Sequence, residues 1–173
     1  AYRDVHGFAD RAAGRALHED DVFVTFSVGK QFTNAVVLSR IENGDLHFDM
    51  QVGDVIPGFR GRGKREIKLW HLLTHTSGIM AAIPTVPNET IIDIAKLTDY
   101  LGSIRPESKP GERVNYSIIA AHAVMAEMVR RVDGGRRSFT EIMTEDLFAP
   151  LGMRSAALPP DASGTLMGSS FLY

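Results

Sequence analysis

The chain has 173 residues, enough for one domain with a real core, and its 44% hydrophobic and 23% charged residues are typical of a globular protein. A formal charge of −2 provides no overall field toward nucleic acid or anionic lipid, and the lack of cysteine excludes disulfides, thiolate catalysis and cysteine-bound zinc while leaving the compartment open. No window approaches the roughly 18 apolar residues of a membrane span, and "AYRDVHGFAD" lacks the charged-then-apolar layout of a signal peptide.

The first residues alternate, with Val5, Gly7 and Ala9 on one side and His6, Phe8 and Asp10 on the other; Gly14 is available for a turn. A strand and turn are predicted, with the strand beginning abruptly and its edge unpaired. From Ser27 to Asn43 the apolar residues Val28, Phe32, Ala35, Val36, Val37, Leu38 and Ile41 spread over more than one stripe. They predict a helix buried on most sides and stopped at Asn43-Gly44. "DLHFDMQVGDVIPGF" reads as an extended connection with a proline turn, and the glycine-spaced basic run 60–68 as a solvated loop.

A second helix is expected in "EIKLWHLLTHTSGI", ending at Gly78. A third is expected over "ETIIDIAKLTDYLGSI", an interior one over "IIAAHAVMAEMVRRV" closed by Asp133-Gly134-Gly135, and an amphipathic one over "SFTEIMTEDLFAPLGM" capped by Ser138. The tail 161–173 has no usable period. The organisation is thus a partial α/β region over 1–58, holding the strand, turn and first helix, and a mostly helical region over 59–173, within one fold. No repeat or linker separates the two.

In "TFSVGK" a serine lies three places before a lysine at the start of the first helix. Positions i and i+3 share a helix face, so Ser27 Oγ and Lys30 Nζ can meet there. The helix start adds amide groups and a partial positive charge suited to an oxyanion, and burial, by disfavouring an ammonium charge, would let Lys30 accept a proton. The spacing by itself also fits an ordinary first-turn serine.

The surrounding text decides between the two. "FSVGKQFTNAVVLSRIENGDLHFD", "IKLWHLLTHTSGI", "KPGERVNYS" and "FAPLGM" occur in an order and at distances that resemble the serine β-lactamase-like hydrolases, from about Val5 to Met153. That group includes class C β-lactamases, penicillin-binding DD-peptidases, family VIII esterases and related acyltransferases. The resemblance implies a β-lactamase/transpeptidase-like fold, α/β plus all-α, here an incomplete portion dominated by helices. It implies Ser27 as the acylated nucleophile, Lys30 as its partner and Tyr116 of "NYS" as the tyrosine that shuttles the proton. Ser117 and Ile118 become the adjoining substrate-contacting positions.

Two positions depart from the family pattern. Ile118 stands where the family has an asparagine and cannot hydrogen-bond a substrate amide, which points toward esters. Gly29 stands where serine or threonine is usual. The family's Lys-Thr-Gly or His-x-Gly triplet does not occur, nor do its outer strands, so the resemblance implies either a second chain or further segments completing the fold.

Other constellations are weaker. His71 and His75 have zinc-pair spacing but no following glutamate, and they and His122 fit a structural role better. "GRGKRE" lacks a phosphate loop's ending, "GSSFL" lacks the last glycine of a nucleophile elbow, and Met125, Met128 and Met143 fit core filling. No cofactor or metal is implied. The expected activity is hydrolysis of a small-molecule acyl substrate, most simply a carboxylic ester, through an acyl-enzyme on Ser27. A β-lactamase, DD-peptidase, acyltransferase or non-catalytic penicillin-binding sensor is the alternative, and a nucleic-acid binder resting on 60–68 a distant one.

Overall fold

The computed structural model describes residues 4–21 and 23–157. The tail 161–173, with its Gly168-Ser169-Ser170 stretch, lies outside them. Two short strands, β1 (Phe8–Asp10) and β2 (Arg15–Ala16), form an antiparallel hairpin. Its register slips between Phe8 and Asp10, so β1 bulges, and both strands are exposed. With β2 on one side, the other edge of β1 has no partner strand among the described residues, as expected.

The helices are α1 (Gly29–Glu42), α2 (Val52–Val55), α3 (Leu69–Leu73), α4 (Asn88–Ile91), α5 (Ile94–Ser103), α6 (Ala120–Val132) and α7 (Phe139–Met143). At the centre is α6, whose residues from Ala120 to Val129 are all buried. It packs against α1, α2, α3, α5 and α7. Small residues along it, Ala120, Ala121, Ala123 and Ala126, let neighbouring helices come close while Val124, Met125 and Met128 fill the gaps. Among the described residues no helix is long and apolar enough to cross a membrane.

Several boundaries differ from the sequence expectation. The burial of α1 does not: Gly29, Lys30, Thr33, Val36 and Val37 are buried, and only a narrow stripe at Gln31, Leu38 (48%) and Glu42 is exposed, so the helix is covered on most sides. The expected third helix is two, because Asp93 adopts an extended conformation and its carboxylate accepts the Lys96 N–H, capping α5. The 45–59 connection contains α2 and a tight turn at Pro57–Phe59, with Gln51 bridged to Lys68. Within the basic run, Lys64 is not solvated; it is 1% exposed and donates to the Ile104 carbonyl.

Three helices end in the same device. In α1, Gly44 takes φ +81 and the amides of Gly44 and Asp45 return to Ile41 and Arg40. In α6, Gly134 takes φ +84 and the amides of Gly134 and Gly135 return to Arg131 and Arg130. In α3 the same pair of bonds runs from His75 to Leu72 and from Thr76 to His71, and the left-handed residue is His75, at φ +56. The expected stop at Gly78 is therefore three residues late. At the start of α7 the expected cap is present: Ser138 Oγ accepts the Glu141 N–H at 3.2 Å, and the Glu141 carboxylate accepts the Ser138 N–H.

Candidate active site

Ser27 lies exposed in a single tight turn, Phe26–Val28, which feeds α1 at Gly29 rather than belonging to it. Phe26, just before it, has φ +47, a conformation that costs a bulky L-residue about 1–2 kcal/mol. One turn on, Lys30 is 4% exposed and donates from Nζ to Ser27 Oγ at 3.2 Å. The Val28 N–H is already given to the Thr25 carbonyl at 3.0 Å, so what α1 lends Ser27 from this amide is field rather than a free donor.

Tyr116 reaches the same oxygen from 89 positions away, with Oη donating to Ser27 Oγ at 2.9 Å. Its segment is pinned along the chain that follows α3. The amides of Glu107, Gly111, Asn115 and Ile118 donate to the carbonyls of Gly78, Thr76, His75 and Ala81, all within 2.9 Å. Gly78 has φ +74, and a Cβ there would lie 2.1 Å from the Ser108 oxygen. Its role is to let the two segments approach this closely, not to stop a helix.

Ser27 Oγ thus sits between an amine and a phenol, with Lys30 Nζ 5.4 Å from the Tyr116 ring centre. The hydrogen bond with Ser27 is the main influence holding the Tyr116 phenol below its ordinary range, followed, against opposing burial, by the bond and charge of Lys30. Two hydroxyls that share a proton beside a cation can pass it between them.

The two adjoining positions behave differently. Ser117 is 1% exposed and its Oγ accepts the Ala121 N–H, so this side chain holds the start of α6 and does not face a substrate. Ile118 is 41% exposed and offers an apolar surface next to Tyr116.

The Beta-lactamase family model matches residues 1–168. The chain belongs to the Beta-lactamase family. It is 29% identical to penicillin-binding protein 4 of Amycolatopsis lactamdurans over 160 residues, covering 90% of this chain and 41% of that protein. It is 40% identical to esterase EstB of Burkholderia gladioli over 82 residues, 45% of this chain and 21% of the relative. A family VIII carboxylesterase structure superposes with a TM-score of 0.81 at 27% identity, covering 91% of this chain and 43% of that one. The fold is therefore β-lactamase/transpeptidase-like, and the chain spans less than half the length of these relatives. Within this family its neighbours include penicillin-binding proteins and esterases.

Sequence reasoning read His75 and His122 as structural but did not place them behind Tyr116. His75 lies against the Tyr116 ring, centres 4.6 Å apart, and accepts the Ser117 N–H on Nδ1 at 3.1 Å. His122, 1% exposed on α6, lies 5.6 Å from His75 ring to ring. Burial first, then the Lys30 charge, lowers His75 below the ordinary imidazole range, and burial with Lys30 and His75 pushes His122 down to about 3. His71 and His75, read from the sequence as structural despite their zinc-pair spacing, each hold a backbone amide: His71 Nδ1 accepts the Lys68 N–H at 2.9 Å and His75 Nδ1 the Ser117 N–H.

Proposed function

We propose that the protein is a serine hydrolase that forms an acyl-enzyme on Ser27, and that its substrates are carboxylic esters. The observation that carries this reading is the meeting of Lys30 Nζ and Tyr116 Oη on one exposed serine oxygen. Ser27 Oγ attacks the acyl carbonyl carbon while its proton passes to the Tyr116 phenolate, whose charge Lys30 balances. The C–O bond to the leaving alcohol then breaks, and Tyr116 returns the proton to that alcohol. In the second half a water gives its proton to Tyr116 as it attacks the acyl-serine. Ser27 leaves with that proton, and the acid is released.

Ile118 supports esters over amides. An apolar, exposed side chain next to Tyr116 offers no partner to an amide N–H or carbonyl, whereas an ester's alkyl portion needs none. The likeness to a penicillin-binding protein favours a second reading, in which Ser27 is acylated by a penicillin and released slowly.

A chromogenic short-chain ester, followed on the intact protein with intact-mass detection of the adduct, tests the proposal. A burst matching the protein concentration, an acyl mass on Ser27 and a loss on the order of 10³-fold or more in Ser27→Ala are expected. Equal ester turnover in Ser27→Ala overturns it. A stable penicillin adduct with no ester burst selects the second reading.

A further inference from the structure

We propose that His75 is a positioning residue for Tyr116, holding the backbone on either side of the tyrosine and bracing its ring so that the phenol meets Ser27. This rests on the reading of Ser27 as the nucleophile. Three contacts converge on one residue: its carbonyl accepts the Asn115 N–H at 2.8 Å, its Nδ1 accepts the Ser117 N–H at 3.1 Å, and its ring lies against Tyr116. The residues before, at and after position 116 are thus all fixed by His75.

The backbone of His75 makes the assignment specific. Its left-handed position closing α3 is the one that Gly44 fills for α1 and Gly134 for α6, where glycine is the least strained choice. A histidine there keeps the stop and adds an acceptor and a ring at the cost of local strain, a pattern associated with functional sites. Strain also appears at Phe26, so the residue before Ser27 and the residue bracing Tyr116 are both left-handed and neither is glycine. The groups facing the imidazole are Lys30 on α1, His122 on α6 and Tyr116 itself. With no carboxylate among these groups to hold a proton on the ring, Nδ1 stays available as an acceptor.

Two substitutions separate positioning from folding. His75→Gly suits the left-handed backbone but removes the acceptor and the ring. His75→Asn also tolerates that backbone and places Oδ1 near the position of Nδ1. In the intact protein, Ser27 labelling by a fluorophosphonate and the phenol titration of Tyr116, isolated as the difference from Tyr116→Phe, are measured together. His75→Gly is expected to label about 10–100-fold more slowly with an unchanged thermal midpoint, and its Tyr116 phenol to return toward the ordinary value as the Ser27 hydrogen bond is lost. His75→Asn is expected to recover at least half of that loss on a logarithmic scale and to keep the lowered phenol. Wild-type labelling with an unaffected His75→Gly overturns the assignment alone. So does an equal loss in both variants with an unmoved phenol. Absence of Ser27 labelling in the wild type overturns the acyl-enzyme reading and this assignment with it.

Discussion

At the C-terminal end of α1, Arg40 is closed in by carboxylates: it pairs with Asp146 and, at 3.5 Å, with Asp133, and Arg137 bonds the same two acids and Glu145. At the N-terminal end, Lys30 is more deeply buried, yet none of the ion pairs among the described residues includes it. Its hydrogen-bond partner is the hydroxyl of Ser27, and a phenol ring faces it. Both cations are enclosed by the same helix and neighbouring elements. A cation surrounded by carboxylates is neutralised and ties α1 to the end of α6 and to the π-helical segment Thr144–Phe148. A cation facing hydroxyls keeps its field for the protons of those hydroxyls, and this is the end of α1 at which the proposed chemistry is placed.

Substitutions at the two ends should therefore fail in opposite ways. The largest effect is expected from Lys30→Met, which should slow acylation of Ser27 by about 10²–10³-fold and displace the rising limb of the pH–rate profile toward higher pH, because Lys30 helps hold the Tyr116 phenol low. Its thermal midpoint should stay within a few degrees, since no paired charge is left behind. An unchanged acylation rate would place Lys30 with Arg40 as a structural cation.

The acid response comes next in size. His122 is neutral in the fold and titrates at about 3, while its unfolded counterpart takes a proton near the ordinary imidazole value. The stability it contributes is complete above about pH 6.5 and is lost as the pH falls toward 3, an effect of roughly 3–5 kcal/mol if His122 acts alone. Asp133, lowered chiefly by its bond to Arg137, loses its contribution below the ordinary carboxylate range. Urea titrations from pH 7 to pH 4 should show stability falling with pH, and in His122→Leu that slope should be shallower by up to one proton. An identical slope would remove His122 from the account.

Arg137→Ala is expected to have a smaller effect, about 2 kcal/mol of stability and a thermal midpoint lower by about 4–8 °C, from opening the carboxylate cluster around Arg40. Ser27 labelling per folded molecule should not change. A parallel fall in labelling would show that the two ends of α1 are coupled and that the contrast between them is false.

The two ends were unequally legible in the sequence. Ser27 and Lys30 could be paired from spacing, since three positions on a helix bring side chains together, although the turn that presents Ser27 precedes α1. Tyr116 carried no local sign of its partner, because its place depends on pairing the 107–118 segment with 75–81, and only resemblance pointed to it. His75 was hidden for a related reason: a helix stop is expected at glycine, and Gly78 nearby offered one, while the actual stop was a strained histidine. The Arg40 cluster needed Asp133 and Asp146 to be brought together from two elements, which no period encodes. The burial of α1 was legible from apolar residues spread over more than one stripe, and Leu38, on the one open stripe with Gln31 and Glu42, is the exception.

The most direct measurement is the rate of fluorophosphonate labelling at Ser27 in Tyr116→Phe against wild type between pH 6 and 10. Phenylalanine keeps the ring against His75 and removes only the oxygen bonded to Ser27. The account predicts labelling slowed by about 10²-fold or more, with the wild-type rise with pH abolished. Labelling at the wild-type rate with the same pH dependence would contradict it.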